Sequence, residues 1–596
     1  MARRPTKPAT LARRAVLALL TAPLMDPGVA SDVAAVQVPA AGRYPLRAST
    51  VALGGYRLAD SLPAVVVKGW VSVVAIDSDV GLGPGLSGTG SPLQPSSPLD
   101  ASPQIGVPDL GAEQSGRDVM RLLGRKQFDE ALAASNELIR TLPKSPVGYN
   151  LQGAAYLGKN DAGKARASFE QALRQQAGYV PALMNLAQLD TRQRNLPAAR
   201  SRYQAILAAD AKNLSAMLGM AQVEAVDGKE PAARDWLERA KRDVPKALAP
   251  RLLLAYLDIR AQAYPAAMDE LKAARDVAPQ NAEVLQLLAH AQGAAGKHAD
   301  AVETYKALVA LQPKSPLALL RLADAHARAG STNLAEATLK QALQIDPRFV
   351  DAMVALAYLQ SKASRYAEAT QLADKLRKIS PSAAAALDGD ILAQQRRYRD
   401  AGEAYAKAFA LAPSSNLAAK LHASRTRSGN AKQADEEIGR WISEHPRDVA
   451  VRRYLAAEHI KAGRSREAAA QYEAIIAIDP RNVEALNNLA ALYQSAKDPR
   501  ALPTAEKAFA IAPGSAIVGD TLGWVLVNQG DVARGLPLLR KAAGDEPKNP
   551  EIQYHLAFGL AGAGQRGEAR RALEALLSSD TQFAQREEAQ ALLKTL

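Results

Sequence analysis

Between Pro316 and Phe349 the chain shows a helical hydrophobic pattern twice. The segment LALLRLADAHARAG places apolar side chains at i, i+3, i+4 and i+7 and ends on Gly330. The segment LAEATLKQALQIDP repeats the pattern and stops at Pro347. Two amphipathic helices joined by a tight turn are predicted, and the same alternation continues from about Gly111 to the end of the chain.

The alternation has a fixed period. Steps of 34 residues connect Gly153, Ala187, Ala221, Ala255, Ala289, Ala323 and Ala357. A second ladder, Ala165, Ala199, Ala233, Ala267, Ala301, Ala335 and Ala369, runs beside it, and a third consists of Pro245, Pro279, Pro313, Pro347 and Pro381. Small residues at two fixed points and proline at a third mark an internal repeat. Pairing the first two ladders gives fourteen units, from Val119 with Ala131 to Ala557 with Ala569. After Pro381 the prolines fall at Pro413, Pro446, Pro480, Pro513 and Pro547, so the step slips to 32 and then alternates between 33 and 34. The unit at 415–446 fits worst, with His422 and Trp441 at positions that are small elsewhere.

These residues resemble the tetratricopeptide-repeat family, whose units carry small residues at positions 8, 20 and 27, a large apolar residue at 24 and proline at 32. Ala323, Ala335, Leu339, Ala342 and Pro347 match in that order. The resemblance implies an all-α, right-handed superhelical solenoid of about fourteen helix–turn–helix units. It also implies a concave face lined by the first helix of each unit, with positions 2, 5, 9 and 12 touching ligand. Carried over, these positions single out Tyr256, Tyr358, Asn487, Asp520, Trp524, Tyr554 and Phe558. An aromatic row beside Asn and Asp suits peptide anchoring or stacking on sugar rings. Neither the lysine–asparagine clamp for chaperone tails nor an asparagine ladder fits, since only Asn185 and Asn488 occupy position 6. The stretch 519–577 further resembles the closing repeats of tetratricopeptide proteins from exosortase/PEP-CTERM exopolysaccharide systems. That subfamily's lipid-bearing cysteine is absent here.

Ahead of the array the pattern changes. Residues 1–30 place a basic start before the apolar run AVLALLTAPLM (15–25) and small residues at 28–30, the order of an export signal. Eleven apolar residues are too few to span a bilayer. Residues 31–111 are rich in Gly, Pro and Ser and predict a flexible linker, with a short β segment at 64–77. The array then divides into a regular part, 112–381, and a less regular part, 382–580, closed by a polar capping helix at 581–596.

Charge and chemistry narrow the function less. The net charge is +13, and both signs interleave along segments such as QQRRYRDAGEAY (394–405), the pattern of a solvated helix face. No cysteine is present, which excludes disulfides and thiolate chemistry. Seven scattered histidines form no metal spacing, and no phosphate loop or nucleophile elbow occurs. The expectation is a non-enzymatic scaffold without cofactor or metal, binding other proteins in the cell envelope, in exopolysaccharide assembly or export or PEP-CTERM sorting. Direct glycan binding and a cytoplasmic adaptor are the alternatives; nucleic acid is not an expected partner.

Overall fold

A computed structural model describes residues 110–261, 263–578 and 583–596. The expected export signal at 1–30 and the β segment at 64–77 lie outside the described residues, as does the linker at 31–111 save its last two residues. The described residues contain 29 helices and no strand. Twenty-eight of them alternate as first and second helices of fourteen repeats, neighbouring helices within a unit mostly packing on one another, and the last is the short helix Arg586–Thr595. The protein is an all-α repeat solenoid. Its described residues fall into two compact units, divided between Leu254 and Ala255.

Each element begins and ends for a local reason. Several first helices are capped by a Ser, Asn or Asp two residues after the repeat proline, whereas Phe349 holds that place after Pro347 without a side-chain cap. Ser315 Oγ accepts from the Ala318 amide at 3.2 Å, Asn482 Oδ1 from Ala485 at 2.9 Å, and Asn549 Oδ1 from Glu551 at 3.1 Å. Such caps satisfy amide donors that have no partner inside the helix, and each stabilises by about 1 kcal/mol. The turn to the second helix needs a left-handed residue. Among the described residues glycine supplies it at seven turns, for example Gly330 at φ 80°. Six turns use Lys126, Asn160, Arg194, Ser364, Arg396 or Lys497 in the same conformation, so glycine is not the general closing residue that the pattern around Gly330 suggests.

The small residues sit where the helices of a hairpin cross. Ala323 and Ala335 are fully buried against each other's helix, as are Ala289, Ala357 and Ala369 in their own hairpins. In two hairpins glycine replaces alanine at position 8 and faces an aromatic ring at position 24. A Cβ on Gly153 would stand 2.5 Å from the Phe169 ring, and one on Gly389 would stand 2.5 Å from that of Tyr405. Phe169 and Tyr405 are themselves buried, so neither ring can retreat without opening the hairpin.

Pro381 departs from its ladder. Pro347 follows the helix Thr332–Ile345 and stops it, whereas Pro381 lies in the first turn of the helix Pro381–Gln394, behind the N-cap Ser380. The preceding helix, Tyr366–Arg377, has 12 residues where Thr332–Ile345 has 14. The slip therefore falls before Pro381, at the expense of the end of a second helix. In the irregular unit, polar bonds stand in for small side chains. His422 bonds Tyr454 Oη at 2.6 Å and Asp435 at 3.0 Å, and the Trp441 indole donates to Asp448 at 2.7 Å.

Side-chain ties also join one hairpin to the next. In the first unit, Arg166 reaches the buried Asp190 at 2.5 Å, which Arg202 also binds, and one repeat later Arg200 binds Glu224 at 2.7 Å. In the second unit, Ala263 lies 3.5 Å from the place a Cβ on Gly514 would occupy, and Ala261 packs against the cluster of Leu486, Ala508, Ala512 and Val518. That contact joins hairpins about 250 residues apart.

Ser364 adopts φ 62°, a conformation that costs a residue with a Cβ about 1 kcal/mol. Ser364→Gly is expected to raise the denaturant midpoint, and Gly330→Ala to lower it. Equal midpoints in both variants would remove the left-handed turn from the account of stability.

Candidate interaction surface

The first helices near the C-terminus carry the densest group of sequence-selected residues. Asp520 and Trp524 lie on the helix Ala516–Asn528, and Tyr554 and Phe558 lie on Pro550–Gly562. Helices paired this way align positions 5 and 9 of one unit with those of the next. The Trp524 ring meets Phe558 edge-on at 5.1 Å between centroids and lies 6.0 Å from Tyr554. Trp524 and Phe558 are half-buried, while Tyr554 is 5% exposed and packs toward Phe583, 6.4 Å away. Tyr554 thus belongs to the core that seats the helix Arg586–Thr595, together with Leu573 and Ala589.

Asp520 does not stand beside the aromatics at the surface, where the sequence pattern set it. It is 1% exposed, and its carboxylate accepts from His555 Nδ1 at 2.8 and 3.0 Å. His555 is fully buried and stacks under Trp524 at 4.0 Å. A buried carboxylate is tolerated only with a strong donor, so Asp520 and His555 hold each other in place. The pair fixes the imidazole, and the imidazole fixes the indole above it. His555 Nε2 is buried without a hydrogen-bond partner among the described residues. The sequence reading passed over His555 because one histidine at position 6 fits no metal or catalytic spacing. Its offset of 35 residues from Asp520 was the available signal.

The other selected residues do not join this group. Tyr256 is half-buried on the helix Leu248–Arg260. Tyr358 is 4% exposed, with Lys362 Nζ 5.9 Å from its ring centroid. Asn487 is also buried, and its Oδ1 has no partner among the described residues. Between Tyr256 and Tyr358, at steps of 34 residues, position 9 is held by the polar residues His290 and Asp324. Asp324 accepts from Arg328 Nε at 2.7 Å, and burial raises the Asp324 pKa. Burial, with the charges of Arg321 and Arg328, lowers the His290 pKa to about 4. Among the described residues no group of three metal-ligating side chains could hold an ion, and no helix is long and apolar enough to cross a membrane.

Comparison with known proteins identifies the repeat. Family models described as tetratricopeptide repeat match residues 184–247 and 286–348, and a second model of the same description matches 526–596. The chain contains tetratricopeptide repeats. No curated protein sequence matches it. Among solved structures, yeast Tom70 is similar at 15% identity, with 76% of this chain and 96% of that chain covered and a TM-score of 0.36. Naa15/Naa10 bound to HypK-THB is similar at 14% identity, covering 81% and 91%, with a TM-score of 0.35. The APC/C hetero-tetramer Cut9–Hcn1 is similar at 12% identity, covering 75% and 96%, with a TM-score of 0.30.

His290 gives this surface a pH dependence. Its folded pKa of about 4 lies below the ordinary value of 6.5, so only the unfolded chain takes up a proton between them. Stability contributed by neutral His290 is complete above about pH 6.5 and is lost as the pH falls toward 4. His290→Gln is expected to flatten the fall in melting temperature over that window. Parallel profiles for variant and wild type would contradict it.

Proposed function

We propose that the chain is a non-catalytic scaffold that binds partner proteins through the faces of its first helices. The observation that carries this reading is the half-exposed pair Trp524 and Phe558, held from below by the buried Asp520–His555 bond. An aromatic edge fixed before a partner arrives loses little side-chain freedom on binding, which is where interface energy concentrates. Tetratricopeptide repeats at three places in the chain support a protein-binding role. The basic start and apolar run 15–25 support export and work in the cell envelope. The resemblance of residues 519–577 to exopolysaccharide-system repeats supports work in polysaccharide assembly or export.

The test is affinity capture with the full chain against envelope extract, comparing wild type with Trp524→Ala/Phe558→Ala. Loss of a defined set of proteins in the variant, with the helical circular-dichroism melt unchanged, is the expected result. Retention of every captured protein by the variant would contradict this face as the binding site.

A further inference from the structure

The charges that interleave along the sequence are sorted by the fold. In a stack of hairpins every first-to-second-helix turn lies on one edge, and every return turn lies on the other. Each first-to-second-helix turn spans the last four residues of the first helix and the six that follow. In the four consecutive hairpins whose first helices are Val350–Lys362, Pro381–Gln394, Ser415–Arg427 and Val449–Lys461, these turns are 359–368, 391–400, 424–433 and 458–467. They hold eleven Lys and Arg against four Asp and Glu, a net +7. The ten other first turns together hold +3. The return turns of the same four hairpins, at 374–383, 408–417, 441–450 and 475–484, hold five cations and five anions. The excess is confined to one edge of four hairpins, within one compact unit.

Most of these cations face solvent. Arg396, Arg399, Lys432, Arg464 and Arg466 are exposed, and Arg399, Lys432, Arg464 and Arg466 make no ion pair among the described residues. Arg397 pairs with Asp400 at 2.5 Å and Lys461 with Glu458 at 2.7 Å, so part of the charge is already balanced. Eight of the eleven cations are arginines, whose planar forks suit carboxylates. The edge offers no free aromatic face. Tyr398 is half-buried with the Arg427 guanidinium 5.7 Å from its ring centroid, and Tyr366 is half-buried too. No large exposed apolar side chain lies at these four turns. Bases and sugar rings are usually held on aromatic platforms, and lipid or amphipathic segments on apolar ones. Neither platform is present.

From this we infer that the basic turn edge over residues 359–467 binds an extended Asp- and Glu-rich segment of a partner protein. The inference rests on the scaffold reading, and it adds a second surface of different chemistry from the aromatic one. Successive turns meet successive carboxylates, so binding is electrostatic and depends on salt.

The test uses the full chain and a fluorescent 20-residue Glu/Ser peptide, with anisotropy read at rising salt. The expected result is binding at low salt that weakens as salt rises, at least tenfold weaker in Arg399→Glu/Arg464→Glu/Arg466→Glu. The control Lys375→Glu/Lys378→Glu/Arg447→Glu, on the opposite edge, stays within twofold of wild type. Should the first triple variant lose its helical melt, Arg399→Ser/Arg466→Ser replaces it, with a threefold or greater loss expected. Absence of peptide binding overturns the proposal, as does equal loss in edge and control variants. So does tighter binding of a polyuronate, a single-stranded oligonucleotide or phosphatidylglycerol vesicles than of the peptide at equal charge. Partner capture that still depends on Trp524 and Phe558 in the face of such a result would sink the edge assignment alone.

Discussion

Two helices can cross closely only where neither carries a bulky side chain, and the hairpins of this protein depend on that constraint. Ala323 against Ala335, or Gly389 beneath Tyr405, brings the backbones near enough for apolar side chains on both sides to close over the crossing. A hairpin on its own leaves one face of each helix uncovered. The next hairpin covers it, so stability accrues by neighbours and not from one central core. The clusters of buried residues follow this rule, each drawn mainly from two or three consecutive hairpins.

Much of this was legible in the chain because alanine and proline recur at fixed steps. A capping residue two places after the proline recurs in several units but as Ser, Asn or Asp, so identity hides a shared chemistry. The slip near Pro381 was visible, yet its place was not. A proline can stop one helix or start the next, and only the shortened helix Tyr366–Arg377 decides between them. The aromatic row was legible in part. Position numbers found Trp524 and Phe558, but they could not separate surface from support. Asp520 and Tyr554 share position 5 with residues that are only half-buried in other units, such as Gln286 and Arg453, and their burial is set by what the next hairpin and the final helix lay over them.

Charge shows the same limit. Along the sequence, Arg396, Arg397 and Arg399 stand beside Asp400 and Glu403 and read as a balanced helix surface. The fold stacks turns of the same kind on one edge, so the excess of Arg396, Arg397 and Arg399 over Asp400 in this turn adds to that of its neighbours. The irregular unit around His422 lies inside the same stretch. There the packing of small residues gives way to polar bonds among His422, Asp435 and Tyr454. The departures from the regular repeat therefore gather where the surface chemistry departs from the average.

The central claim is that stability is held hairpin by hairpin through the small-residue crossings. Hydrogen exchange read by mass spectrometry on Ala301→Asp tests it most directly, since Ala301 is 2% exposed at such a crossing. The account predicts lost protection in Ala282–Ala294, His298–Leu311 and the helices that touch them, with helices beyond Val449–Lys461 unchanged. Uniform loss of protection from the first hairpin to the last would contradict it.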